Sequence, residues 1–398
     1  MSLAHGRPYL AIPGPSVMPD RVLQAMHRPA PNIYEGELID LTHSLLPDLK
    51  AVARTEGSVA IYIGNGHAAW EAALANVLSR GDRVLALTTG RFGHGWAEMA
   101  EEMHIEVDIL EFGETGALDY GRIEEALKAD ASASRPYKAV LSVFVDTSTS
   151  VKVDMAAIRA AMDGAGHSAL LMADCIASLG CDAFEMDGWG VDVTVTGSQK
   201  GLMTPPGVAF VFFSEKADAA RESADLATRY WDWRPRANPE LYYQFFCGTA
   251  PTHHLYGLRA ALDILAEEGG VEAAWARHNH LAKAIWAACD AWGAEGPLRM
   301  NVAREEERSW AVTSLQLDPG QGEALRKWTA SEAGLTLGIG LGRTPADAFF
   351  RIGHMGHVNA TMVMGALSVI DGGFKALGIP HWAGALEAAS RVISGGVG

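Results

Sequence analysis

The chain has 398 residues, 48% of them hydrophobic and 20% charged, with a formal net charge of −16. That length supports a large core and two unequal lobes, while the negative balance argues against nucleic acid or an anionic membrane as partners and for a small-molecule substrate. Four widely spaced cysteines, Cys175, Cys181, Cys247 and Cys289, form no C-x-x-C pair, which points away from a zinc site or disulfide scaffold and towards a reducing cytoplasm.

We read neither a signal peptide nor an apolar run long enough to span a bilayer. Residues 1–20 form an extended arm, because Pro13 and Pro15 lack amide donors and exclude a helix. A helix starts at Pro19-Asp20 and runs through Val22, Leu23 and Met26; a second, at 38–53, carries Leu41, Leu45, Leu46 and Leu49 at helical spacing. Residues 59–63 are a strand, Gly64-Asn65-Gly66 a turn, and His67 onward a helix. The free amides and dipole at that helix start suit a phosphate. A glycine turn before a helix is also a common structural device, and this one is neither G-x-G-x-x-G nor a P-loop.

The alternation continues with strands at 83–87, 106–110 and 138–145 and helices at 96–103, 120–129 and 155–165. Gly90-Arg91-Phe92-Gly93 reads as a turn, and residues 138–145 lead into the hydroxyl cluster 146–150. A strand at 169–173 ends in Asp174, and the β-branched run 191–196 is a buried strand broken by Gly197 and Ser198. Repeated βα units imply a mostly parallel sheet covered by helices on both faces, with ligands at the carboxyl ends of the strands. Gly66-His67, Phe92, Thr147-Ser148, Asp174 and Lys200 all follow predicted strands, so one crevice gathers them.

Lys200 lies on a turn closed by Pro205-Pro206-Gly207. If it is held near the interior, desolvation lowers its pKa and frees the neutral amine that a Schiff base requires; the bland alternative is a surface-loop lysine. Asp174 follows Leu170-Leu171-Met172-Ala173 and is either a helix N-cap or an acid with little water around it, which needs a cation or takes a raised pKa. A buried acid for a protonated pyridine nitrogen, with a lysine on the next strand, is the arrangement pyridoxal phosphate requires. Arg351 follows Phe349-Phe350 and needs an anion, whether a substrate carboxylate or a core salt bridge.

Beyond Thr249 we read a linking helix at 255–268, a helix at 271–292, a strand at 310–317, a flexible glycine loop at 338–342 and a helix at 360–377. His354 and His357 have no third ligand at metal spacing, so no metal is expected. The resulting organisation is an arm at 1–20, a large α/β domain at 21–254, and a linking helix with a smaller α+β domain at 255–398.

PGPS at 13–16, GNGHAAWEAAL at 64–74, DCIASLG at 174–180, TGSQKGLMTPPG at 196–207 and FRIGHMG at 350–356 run in order over nearly the whole chain. Together they resemble the class V, fold-type I, pyridoxal-phosphate aminotransferases, within them the alanine–glyoxylate, serine–glyoxylate and serine–pyruvate group. The resemblance implies a seven-stranded-type sheet, pyridoxal 5'-phosphate as cofactor, and a homodimer with composite sites. It assigns Lys200 to the Schiff base and the proton transfer, and Asp174 to the pyridine nitrogen. Gly66, His67, Ala68 and Gln199 would hold the phosphate, Phe92 would stack on the ring, and Ser148 and Ile176 would sit beside it. Arg351 would take the substrate carboxylate, with Gly14 and Ser148 near it. Thr249 would reach a neighbouring subunit's phosphate. Phe246 stands where relatives carry a tyrosine, so either Tyr242 or Tyr243 compensates or the phosphate has one fewer donor. Trp231 and Trp233 would shape a substrate mouth or pack against the partner.

The expected reaction is amino transfer from alanine or serine to glyoxylate or pyruvate in a two-step cycle. Three rivals stand beside it: pyridoxamine–pyruvate transamination, other class V chemistry such as cysteine desulfuration, and a non-catalytic protein on the same scaffold.

Overall fold

Short runs of consecutive apolar residues form most strands of a seven-stranded sheet, and the alternating, largely exposed Glu106–Glu111 forms its edge. The computed structural model describes residues 2–116 and 118–395. In chain order its first part comprises β1 (Tyr9–Ala11), α1 (Asp20–Met26), α2 (Glu37–Ala53), β2 (Ser58–Gly64), α3 (Gly66–Val77), β3 (Arg83–Thr88), α4 (Arg91–Glu102), β4 (Glu106–Glu111), α5 (Tyr120–Asp130) and β5 (Ala139–Val143). Then come β6 (Val145–Asp146), β7 (Val151–Lys152), α6 (Met155–Gly164), β8 (Leu170–Asp174), β9 (Val193–Gly197) and β10 (Gly207–Phe213).

The large sheet runs β2-β10-β9-β8-β5-β3-β4, parallel except for β10, which is antiparallel to both neighbours. Its central strands β5, β8 and β9 are buried along their whole length, as expected of parallel strands with helices on both faces. Register aligns their carboxyl ends, since Asp174 pairs with Val143 on one side and Val195 on the other. The strand β10 is absent from the sequence reading, although the apolar run after the Pro205-Pro206-Gly207 turn carries its signal.

The linking helix Thr252–Glu268 leads to a second, five-stranded sheet whose core strands are Leu335–Ile339, Phe349–Gly353 and Val312–Gln316. Two expectations change here. Part of the arm is a strand, since β1 pairs in parallel with Leu335–Leu337, and the glycine loop begins as the end of Leu335–Ile339. The helix Ala360–Leu377 is long and apolar enough by composition to cross a bilayer, contrary to the sequence reading. Here its Val363, Leu367, Ile370 and Phe374 face the apolar core of the small sheet.

Candidate active site

The carboxyl ends of β5, β8 and β9 and the start of α3 enclose a cavity of about 280 Å³. Gly14, Asn65, Gly66, His67, Trp70, Phe92, Thr147, Asp174, Ile176, Gln199 and Lys200 line it, near the lower end of small-molecule sites, which run from ~300 to 1,000 Å³.

Asp174, the last residue of β8, is 3% exposed. Its Oδ1 accepts the Ile176 amide at 2.7 Å and its Oδ2 accepts the Trp70 indole N–H at 2.9 Å. Burial nevertheless pushes its pKa up to about 7, the two hydrogen bonds only partly opposing the shift. It makes no ion pair among the described residues, so it is a buried acid that lacks a cation. Trp70 escaped the sequence reading; the available signal was an indole on the buried face of a helix, where its N–H needs an acceptor.

Lys200 follows β9 by three residues. Burial and then the charge of Arg351 lower its pKa to about 8. Its ammonium donates to the Pro13 carbonyl, and Gly14 next door has φ +99°, where an added Cβ would lie 2.4 Å from Lys200 Cε. Only glycine lets the N-terminal segment cross the lysine this closely.

At the start of α3, Asn65 is the N-cap, its Oδ1 accepting the His67 and Ala68 amides at 3.1 and 3.4 Å. The expected phosphate donors are therefore held by a neighbouring side chain, in long bonds that a full anionic charge at a helix start would outcompete. Gln199 Oε1 is buried without a partner; with the amide turned over, the same place offers an N–H to an anion.

Phe92 reaches the cavity from the first turn of α4, edge-on to Trp70 with ring centroids 6.3 Å apart. That helix starts at Arg91 and not at residue 96 as expected, because its first amides find acceptors far away in sequence: Arg91 N donates to Ser148 Oγ, and Phe92 N and Gly93 N to Asp146 Oδ2. The Ser148 hydroxyl in turn donates to Asp146 Oδ1 at 2.5 Å. It is thereby committed away from the cavity, and Thr147 lines the wall in its place.

Arg351 is 6% exposed on the strand Phe349–Gly353. Its Nε donates to the Ile339 carbonyl and its Nη1 to the Thr147 carbonyl, both at 2.8 Å, leaving Nη2 unpaired among the described residues. Burial lowers its pKa to about 10, so the group is a fixed cation at neutral pH. It lies outside the cavity lining, near enough for its charge to act on Lys200.

Thr249 is exposed and does not line this cavity. Phe246 is buried, Tyr242 turns inward to hydrogen-bond Thr42, and Tyr243 is exposed. Trp233 is not at a mouth: it stacks on Phe213 in the chain's own core, with centroids 4.1 Å apart. The buried His354 ring bridges Thr313 and the Trp310 carbonyl. None of the four cysteines lines the cavity.

The family model for class V aminotransferases matches residues 51–341. The serine–glyoxylate aminotransferase of Methylorubrum extorquens is 39% identical over 93% of this chain and 93% of its own. The L-aspartate–glyoxylate aminotransferase of Paracoccus denitrificans is 36% identical over 96% and 94%. The crystal structure of pyridoxamine–pyruvate aminotransferase from Mesorhizobium loti superposes with a TM-score of 0.87 at 27% identity, covering 98% of both chains.

Proposed function

The chain belongs to the class V aminotransferases, pyridoxal-phosphate enzymes, and from that footing we propose that it transfers the amino group of a small L-amino acid, with serine first, to glyoxylate. One observation carries the reading: a buried carboxylate without a counter-cation, Asp174, shares a cavity with a lysine whose pKa is lowered to about 8.

The residues fit the cofactor. Asp174 would keep the ring nitrogen protonated and gain from it the counter-charge its buried carboxylate lacks. The start of α3 with Gln199 would take the phosphate, and Phe92 would take one face of the ring. When bound, pyridoxal phosphate supplies the electron sink beside the substrate's α-carbon.

The rest of the chemistry belongs to the chain. Lys200, with much of its amine neutral near pH 8, removes the α-proton and later returns a proton to the opposite end of the same path. Arg351, braced by two carbonyls, offers Nη2 and the second Nη1 proton to an α-carboxylate. Donor and acceptor both carry that group, so one arginine serves both halves of a ping-pong cycle. Thr249 and the exposed segment around it would complete the site of a second copy, as the homodimer reading requires.

Serine as donor and glyoxylate as acceptor rest on the relative at 39% identity, with aspartate next. Pyridoxamine–pyruvate transamination is the second reading. The solved relative from Mesorhizobium loti at 27% identity supports it. The deciding experiment is the visible spectrum of the protein loaded with pyridoxal phosphate, before and after L-serine, L-aspartate, L-alanine or pyridoxamine. Bleaching by serine and recovery with glyoxylate supports the proposal. Failure of every amino acid to bleach the spectrum, together with formation of pyridoxal from pyridoxamine and pyruvate by the cofactor-free protein, refutes it.

A further inference from the structure

We propose that Asp146 is a positioning residue for the cofactor ring, acting through Phe92; the inference rests on the pyridoxal-phosphate reading above. Asp146 is fully buried and makes no ion pair among the described residues. Its Oδ2 accepts Phe92 N at 2.8 Å and Gly93 N at 3.2 Å, and its Oδ1 accepts Ser148 N at 2.9 Å and Ser148 Oγ at 2.5 Å. Ser148 Oγ in turn accepts Arg91 N at 3.1 Å. Three successive amides at the start of α4 are thus held from β6 and the turn after it, more than fifty residues downstream.

The helix has no cap of its own. Its N-cap is Gly90, with no side-chain bond, and a Cβ at that position would lie 2.7 Å from both Asp146 Cγ and Ser148 Oγ. A carboxylate at a helix start is favourable wherever it comes from, and the glycine at position 90 leaves the room this remote one needs. The remote cap does something a local one does not: it locks the first turn to the strand end that forms the opposite wall. Thr147, between the two capping residues, lines the cavity, and its carbonyl braces Arg351. The unit Asp146-Thr147-Ser148 therefore holds the ring-facing Phe92 and the carboxylate-binding Arg351 in one frame.

The test uses the full chain, stripped of cofactor and titrated with pyridoxal phosphate, as wild type, Asp146→Asn, Phe92→Ala and the double variant. Three readouts are taken: the dissociation constant, the visible circular dichroism of the bound ring, and amide exchange at residues 91–93 without cofactor. The asparagine turns an N–H₂ towards amide donors. Expected are faster exchange at 91–93, an altered ring dichroism, and roughly ten-fold weaker binding from each single change. The double variant should bind within about two-fold of Phe92→Ala, because both changes act through one ring. Fully additive losses, or faster exchange with unchanged affinity and dichroism, would reduce Asp146 to a helix cap and overturn the proposal. Ser148→Ala, which keeps the carboxylate, should show the same changes at smaller size, and supplies the test if Asp146→Asn does not fold. A wild-type protein that fails to take up pyridoxal phosphate would overturn the underlying cofactor reading.

Discussion

Asp174→Asn in the cofactor-free protein tests the electrostatic core of the site. The folded pKa of Asp174 is about 7, against 3.8 for the free side chain. An acid shifted upward favours the fold fully below its unfolded pKa and loses that contribution as pH rises through the folded one. For Asp174 the loss accumulates between about pH 4 and 7 and reaches ~4 kcal/mol at pH 8, of which ~2 kcal/mol is already present at pH 5. Asparagine carries no such loss. It brings a fixed penalty instead, because its N–H₂ opposes one of the two donors, Ile176 N and Trp70 Nε1, but that penalty is the same at both pH values and cancels. The variant should therefore gain on wild type by ~2 to 3 kcal/mol between pH 5 and pH 8. For a chain of this length that is about 3 °C in melting temperature, measurable by calorimetry of both cofactor-free proteins. A gap that stays within 1 °C across the two pH values would mean that Asp174 is not strained by burial. With pyridoxal phosphate bound the ordering should invert, since wild type alone then has its ion pair.

Three further outcomes are expected. The rate of cofactor capture should rise with pH through about 8, the midpoint for the Lys200 amine, and level off about a unit above it; a flat profile from pH 6 to 10 contradicts the lowered pKa, and Lys200→Ala should leave nothing for borohydride to fix covalently. Arg351→Ala should raise KM for amino acid and keto acid alike by about 100-fold, the worth of a two-pronged charge-assisted contact, and an effect on one substrate alone would remove Arg351 from the shared role. Arg236→Met should destabilise the fold by ~3 kcal/mol in urea denaturation, since it strips donors from the buried carbonyls of Ile61 and Phe245 and the half-buried one of Tyr230; a loss under about 1 kcal/mol would show those carbonyls finding water.

Much of the site was legible because its residues obey one local rule. Asp174 and Lys200 each end or follow a run of buried strand residues, so chain order alone brings them to the same edge. What stayed hidden depends on distant partners. The start of α4 was read five residues late, since its amides are satisfied by Asp146 and Ser148 and no capping residue precedes it. Trp70 looked like one more apolar residue of an alanine-rich helix, and its indole acquires meaning only once β8 places a carboxylate against it. Ser148 and Thr147 are neighbours with similar side chains, and only the path of the turn after β6 decides which one faces the cavity. In the small lobe, Leu335–Ile339 carries a glycine that suggests a loop, but pairing with both β1 and Phe349–Gly353 holds it extended.

The segment after β1 joins two parts of the molecule that the large sheet does not. Tyr9–Ala11 moves with the small sheet, while Ser16 is tied to the turn carrying the lysine, its amide bonded to the Gln199 carbonyl and its hydroxyl to that of Lys200. Between them the Pro13 carbonyl holds the Lys200 ammonium. Those few residues therefore tie the sheet that carries Arg351 to the turn that carries Lys200, and the acceptor of the lysine's ammonium belongs to a segment anchored on both.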